Sequence, residues 1–317
     1  MLIDDIMETY TAAIKKGKTP PMKSVVGAQM VAGISAWKFA IKFRADNVND
    51  FVTNVLNDMV ATGKKWGGNE FFSIMPPYPL MWIEWKEGEK GGFQQRGATV
   101  LSYTRDEFHA TKSIPTNVKA NLRDLENQRG LPKLYCVCKF WSKPPGHDIG
   151  IVDGMLFSIN EDGSLGLGSA TIRNPLTTKA ISPEEEQELT ADLADNYLVP
   201  VLYTLQFCNV KNIVEKSFNQ PEKLNKAREK RGKLPLVSFK TLEIQPIRKT
   251  IENTKHEKNV SGKVALHFCR GHFKDYREHG LFGKNKGVYW WDAQARGHED
   301  AGAVIKDYKV KTGMISP

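Results

Sequence analysis

The stretch LYCVCKFW, residues 134–141, decides how the middle of this chain is read. It holds Tyr135, Val137, Phe140 and Trp141 in one apolar run with no helical spacing, which is the composition of a β-strand. Neighbours at i and i+2 share one face of a strand, so Cys136 and Cys138 are expected side by side. No C-x-x-C pair occurs among the four cysteines, which argues against a four-Cys zinc site. Buried reduced thiols are the reading preferred over half of a thiolate pair.

Working outward, FFSIM, LMWIEWKE and RGATVLSYTR before this stretch, and MLFSINEDGSLGLGS after it, have the same strand character and are divided by Pro and Gly. NEDGS, 160–164, reads as a hairpin turn, because Asp-Gly accepts positive φ cheaply. The prolines of SIMPPYPLMW forbid a helix there. Toward the N-terminus, residues 1–16 place Ile3, Ile6, Tyr10 and Ile14 at helical spacing, and KKGKTPP ends that helix. A second helical region is expected over 23–62, although Gly27 and Gly33 weaken its first part. Toward the C-terminus, Ser182 is a cap, Pro183 suits the first helical position, and the following glutamates favour the positive end of the helix dipole. That glutamate triplet is thus helix chemistry rather than a metal site. The helix is expected to run on to about residue 218, with Pro200 kinking or dividing it. The expected class is α+β, with N-terminal helices, a mainly antiparallel β-rich middle, a long helix near 183–218 and a basic, β-rich C-terminal portion.

The 317 residues fit one large domain or two modest ones. No apolar run reaches the roughly 18 residues of a spanning helix. The acidic start MLIDDIMETY lacks the order of a secretory signal. The expectation is therefore a cytoplasmic protein with no membrane partner; the oligomeric state is left open. The formal net charge of +9 is unevenly spread. Residues 1–221 hold 24 basic and 25 acidic side chains, whereas 222–317 hold 21 and 11. A boundary near 220 follows from charge, giving a near-neutral region 1–220 and a basic region 221–317, although strands on both sides can share one sheet. Clustered positive charge is the footprint of a polyanion partner, here RNA or DNA; a solvated surface is the plainer reading. PEKLNKAREKRGK, 221–233, has six basic and two acidic side chains. It reads as a short basic helix or arm with Lys226, Arg228, Lys230 and Arg231 as backbone contacts.

HFCRGHFKDY, 267–276, concentrates the groups that phosphate chemistry uses. On a strand, Arg270, His272, Lys274 and Tyr276 share one face. Gly271 is a candidate bulge, which would bring His267 to the same side. The partner segment 288–296 puts Trp290, Asp292, Gln294 and Arg296 in one phase. Arg binds phosphate through paired N–H bonds, His exchanges protons near neutral pH, and Tyr and Trp stack on bases. A ribonuclease without metal is one reading. It has His267 and His272 as base and acid, Arg270 and Arg296 as the cationic clamp, and Tyr276 positioning the substrate. Binding through Lys274, Lys284 and Trp290 without cleavage is the second, and a structural hydrogen-bond network the third. The spacing of His267, Cys269 and His272 matches no common metal-ligand pattern, and no cofactor is expected. LFGKNKG lacks the spacing of a phosphate loop, and GSLGLGSA lacks a third glycine. His109, His147, His256 and His279 stand in no recognisable catalytic pattern; His298 lies just past ARG.

KLNKAREKRGKLPLVSFKTLEI, ALHFCRGHFKDY, GLFGK and GVYWWDAQARG together resemble an uncharacterised family of proteins encoded by tailed bacteriophages and prophages; PPYPLMWIEW adds to the likeness. The overlap is strongest over 222–297. Its pattern falls on His267, Arg270, Gly271, His272, Phe273, Tyr276, Tyr289, Trp290, Arg296 and Gly297. The resemblance implies a viral source and the host cytoplasm, and supplies no established activity. In the family pattern a His commonly stands two residues before the final Arg-Gly, where this chain has Gln294; the resemblance therefore favours a binder over an enzyme. It also implies a non-enzymatic alternative, a virion part or a protein that grips a host protein.

Overall fold

The computed structural model describes residues 1–15, 37–62, 71–88, 92–112, 114, 116–166, 170–172, 182–244, 265–269, 272–291, 294–296 and 298–303. It is an α+β protein built on one large sheet. The strands are β1 (Ile41–Arg44), β2 (Leu80–Glu87), β3 (Gln94–Tyr103), β4 (Leu134–Lys143), the short β5 (Gly150–Ile151), β6 (Gly154–Ile159), β7 (Ala170–Ile172), β8 (Ile213–Phe218) and β9 (Phe239–Ile244). Their spatial order is β7-β6-β4-β3-β2-β1-β9-β8, with β5 paired to β4. The β2 to β7 half is antiparallel throughout. The β1 strand pairs in parallel with both β2 and β9.

The apolar run of β4 is explained by its place. Its Cys136, Cys138 and Phe140 face one core, and Tyr135 and Val137 face another. A strand buried on both faces has no polar alternation to show. Burial pushes the Cys136 thiol up to about 12 and Cys138 well above its ordinary value. Both are packing residues. The Asn160–Ser164 turn forms, with Gly163 at φ +86° and its N–H on the Asn160 carbonyl at 3.0 Å.

Helices cover both faces. On one side lie α1 (Leu2–Lys15), whose Leu2, Ile3, Ile6 and Met7 pack on Trp82 and Trp141, and the pair α3 (Arg105–Ala110) and α4 (Thr116–Arg129). On the other lie α2 (Asp46–Thr62), α5 (Pro183–Leu193) and α6 (Val199–Cys208), which share one core. Residues 41–44, expected in a helix, form β1. Ile41, Phe43 and the neighbouring Ala40 pack inward while β1 pairs with β2 over four positions. Residues 16–36, which include Gly27 and Gly33, lie outside the described residues.

Ser182 and Glu185 form the expected capping box at the start of α5. Pro200 divides the long helix through a π-helical turn, Ala194–Leu198. Proline has no N–H to give the Asn196 carbonyl. Arg96 Nη1 donates to that carbonyl instead, at 2.9 Å, while its guanidinium lies 4.8 Å from the Tyr197 ring centroid. The helix then ends at Cys208, short of the expected 218. Residues 213–218 are β8, paired with β9 over six positions. The charge boundary near 220 therefore falls between two strands that pair with each other. Between them α7 (Glu222–Lys230) stands on the surface with no buried residue.

The chain continues through β10 (Ala265–Cys269), β11 (His272–Asp275), β12 (Val288–Trp291), β13 (Gln294–Arg296) and β14 (His298–Ala303). The β11–β12 ladder is a two-stranded hairpin, and β13-β10-β14 is a small separate sheet. Among the described residues, no helix is long and apolar enough to cross a membrane.

Candidate nucleic-acid interface

The β11–β12 hairpin docks on the core by one face. Phe273 and Trp290 are opposite each other in the ladder. Their rings lie 4.7 Å apart, and each packs on Phe207, at 5.1 and 5.4 Å. Asn212 clips the strand in place: its side chain donates to the Trp290 carbonyl at 2.8 Å and accepts from the Trp290 N–H at 2.9 Å. The Lys211 N–H donates to the Val288 carbonyl at 2.9 Å. Arg277, held by both carboxylate oxygens of Asp275, reaches the Asp162 carbonyl at 2.6 Å. That guanidinium holds the Asp275 carboxyl below its usual range.

The opposite face holds the polar candidates. His272 pairs with Trp291 and Lys274 with Tyr289 in an antiparallel register, and directly opposite residues share a face. Tyr276 follows in phase, its N–H on the Gly287 carbonyl at 2.9 Å. Its ring centroid is 6.1 Å from Tyr289 and 5.9 Å from Trp291. The Lys274 ammonium sits 4.7 Å from the Trp291 centroid, within cation–π range. His272 is exposed, and Lys274, Tyr276 and Trp291 are half-buried.

The expected face gathers His272, Lys274 and Tyr276 but not Trp290. Trp290 is 4% exposed and belongs to the core, so it has no ring face to offer a base. Its neighbour Trp291 takes that place. The register is one residue from the expected phase, and a one-residue change moves a side chain to the other face. The doublet Trp290-Trp291 hid which ring is outside; the apolar Phe273 opposite Trp290 was the signal that could have decided it.

The loop joining the strands is tight. Gly280 and Gly283 both have φ +72°, and Phe282 has φ +56° while 75% exposed. An exposed aromatic residue held left-handed is a strained position that local packing does not explain. Lys284 is exposed on this tip.

His267 and Arg296 are register partners in β10 and β13, and Cys269 pairs with Gln294. The β10–β13 and β11–β12 ladders are distinct, so His267 and His272 do not lie on one continuous strand. Arg270 and Gly271 lie between the two strands and outside the described residues. On α7, Lys226 is ion-paired to Glu222 at 2.6 Å. Arg228 is tied to Glu8 and donates to the Leu234 carbonyl at 2.9 Å, which pins α7 against α1. Lys230 and Arg231 are exposed.

A second His/Arg/Tyr cluster escaped the sequence reading. Glu126 on α4, with its side chain 1% exposed, accepts from Arg105 at 3.0 Å, from His109 Nε2 at 3.2 Å and from the Tyr135 hydroxyl. Burial works to raise the Glu126 carboxyl, but those three partners together lower it. Burial and the adjacent carboxylate raise Tyr135. The participants lie as far as 30 positions apart in sequence and no spacing motif joins them. Among the described residues, no group of three or more His, Cys, Asp or Glu is arranged to hold a metal ion.

No protein-family model, curated protein or solved structure matches this chain.

Proposed function

We propose that this protein binds single-stranded RNA on the outer face of the β11–β12 hairpin. One observation carries the reading: Lys274 lies over Trp291 with Tyr276 and His272 alongside, on a face turned away from the core. Bases stack on Trp291 and Tyr276, and each stacked base contributes about 1–3 kcal/mol. Lys274 and Lys284 pair with phosphates, and Lys230 and Arg231 add a second strip of positive charge. The excess of 21 basic over 11 acidic side chains in residues 222–317 supplies the long-range attraction. A bacteriophage source is part of the proposal and rests on the motifs of 222–297.

Metal-independent cleavage is the chemical extension of the same reading. One histidine takes the ribose 2′-OH proton as that oxygen bonds to phosphorus. The other gives a proton to the departing 5′ oxygen. Arg296 and Arg270 would stabilise the added charge. Gln294, opposite Cys269, stands where the resembled family commonly has a histidine, and this favours binding over cleavage.

The test is incubation of the full chain with labelled RNA and DNA in excess chelator, followed by gel separation. Retarded RNA without cleavage is expected. Cleavage that survives chelator and disappears in His272→Ala would establish the enzymatic extension. Absence of any retardation would overturn the proposal and turn attention to a host protein.

A further inference from the structure

We propose that the cleft where β1 and β9 part is a second binding site, for a small anionic ligand with a flat ring, a ribonucleoside monophosphate. The parallel pair β1–β9 touches at one register position, Phe43 with Lys240. On the N-terminal side of that contact the strands separate around a cleft of about 620 Å³. That volume suits a small-molecule site. Its walls are Ile41, Leu236, Val237 and Phe239, with Ser217, Asn219 and Ser238 as polar groups. Among the described residues that line it, Lys38, Lys42 and Lys240 are the charged ones and there is no carboxylate.

The lysines are not equivalent. Lys240 is committed to Glu215 and to the Tyr78 hydroxyl, the latter at 2.6 Å. Lys42 is buried. Its ammonium donates to the Ala40 carbonyl at 2.8 Å and the Lys38 carbonyl at 3.4 Å. These two bonds fix the position of the charge, and the Asp4 carboxylate, which accepts the Val237 N–H at 3.1 Å, acts on it electrostatically. Lys38 is exposed. Phe39, between them in sequence, is 81% exposed, the largest exposure among the described large hydrophobic side chains. A phenyl ring kept in water beside two cations and an apolar wall suits an aromatic ring with a phosphate attached. Phosphate pairs with the exposed Lys38, the fixed charge of Lys42 adds to its field, and the base stacks on Phe39. The cleft wall 234–240 begins three residues after Arg231, which with Lys230 is exposed at the end of α7.

The experiment is calorimetric titration of the full chain with adenosine 5′-monophosphate, adenosine and inorganic phosphate. Adenosine monophosphate is expected to bind about tenfold or more tightly than either fragment, because stacking and charge-assisted bonding each supply at least that factor. Phe39→Ala and Lys38→Ala, both at exposed positions, are each expected to weaken it about tenfold. Trp291→Ala and Tyr276→Ala are expected to leave it unchanged, which separates this site from the hairpin surface. No measurable heat with the monophosphate, or equal affinity in wild type, Phe39→Ala and Lys38→Ala, would overturn the proposal whatever the outcome with RNA.

Discussion

Two parts of this molecule assemble a His, a Tyr and a cationic side chain to opposite ends. Around Glu126, a His, an Arg and a Tyr converge on one carboxylate beneath α3 and α4. On the hairpin, a His, a Lys and a Tyr spread over an outer face, and the carboxylate of the same strand, Asp275, is taken up by Arg277. The first set satisfies the Glu126 carboxylate, because a buried carboxylate is costly unless its lone pairs find donors. The second keeps His272 exposed and Lys274, Tyr276 and Trp291 half-buried on the side away from the core, the arrangement on which the proposed RNA face rests. Residue types alone do not separate a structural network from a candidate binding surface; the position of the compensating carboxylate is what differs between the two.

The largest expected effect is on the buried side of that comparison. Glu126→Leu strands Arg105, His109 and Tyr135, and about 3–5 kcal/mol of stability is expected to be lost, read by urea unfolding. RNA affinity of the remaining folded protein should be unchanged. Retained stability would show that the Glu126 cluster is not the structural half of the pair. The same site gives a sign for pH. The Glu126 carboxyl is lowered in the folded protein, so its contribution is present above the ordinary Glu value of about 4.3 and is lost as pH falls through the lowered folded value. Acid unfolding of Glu126→Gln should lack that part of the decline; an unchanged acid profile would contradict it.

Within the hairpin, the two adjacent tryptophans sharpen the contrast. Trp290→Ala empties a core position and is expected to cost about 3–5 kcal/mol. Trp291→Ala is expected to cost little stability and to weaken RNA binding by about 1–3 kcal/mol. Equal effects of the two on stability would mean that both rings are core. Smaller again is Lys274→Ala, for which the slope of log affinity against log salt should fall by about one phosphate contact. Lys226→Ala, already paired with Glu222, should change affinity least of these, since an exposed ion pair is worth about 0–1 kcal/mol.

Much of the framework was legible in the sequence because local chemistry and tertiary packing agree there. Ser182, Pro183 and Glu185 form the capping box, Gly163 makes its turn, and β2, β3, β4 and β6 are strands in an antiparallel arrangement. FFSIM, expected as a strand, lies in none of the strands; two further errors came from tertiary pairing overriding local pattern. Ile41–Arg44 left a helical region to pair with β2, and Ile213–Phe218 became β8 because β9 lies beside it. The site was legible as a composition but not as a surface. The outward ring is Trp291, and only the pairing of Phe273 with Trp290 fixes that phase. The Glu126 cluster carried no signal in spacing, since its members come from α3, α4 and β4.

The most direct test of the binding face is fluorescence-anisotropy titration of a labelled single-stranded RNA at several salt concentrations in chelator, with wild type, Trp291→Ala and Lys274→Ala. The account predicts affinity that falls steeply with salt, about a tenfold or greater loss in Trp291→Ala at fixed salt, and a shallower slope in Lys274→Ala. Affinity indifferent to salt, or both variants indistinguishable from wild type, would contradict it.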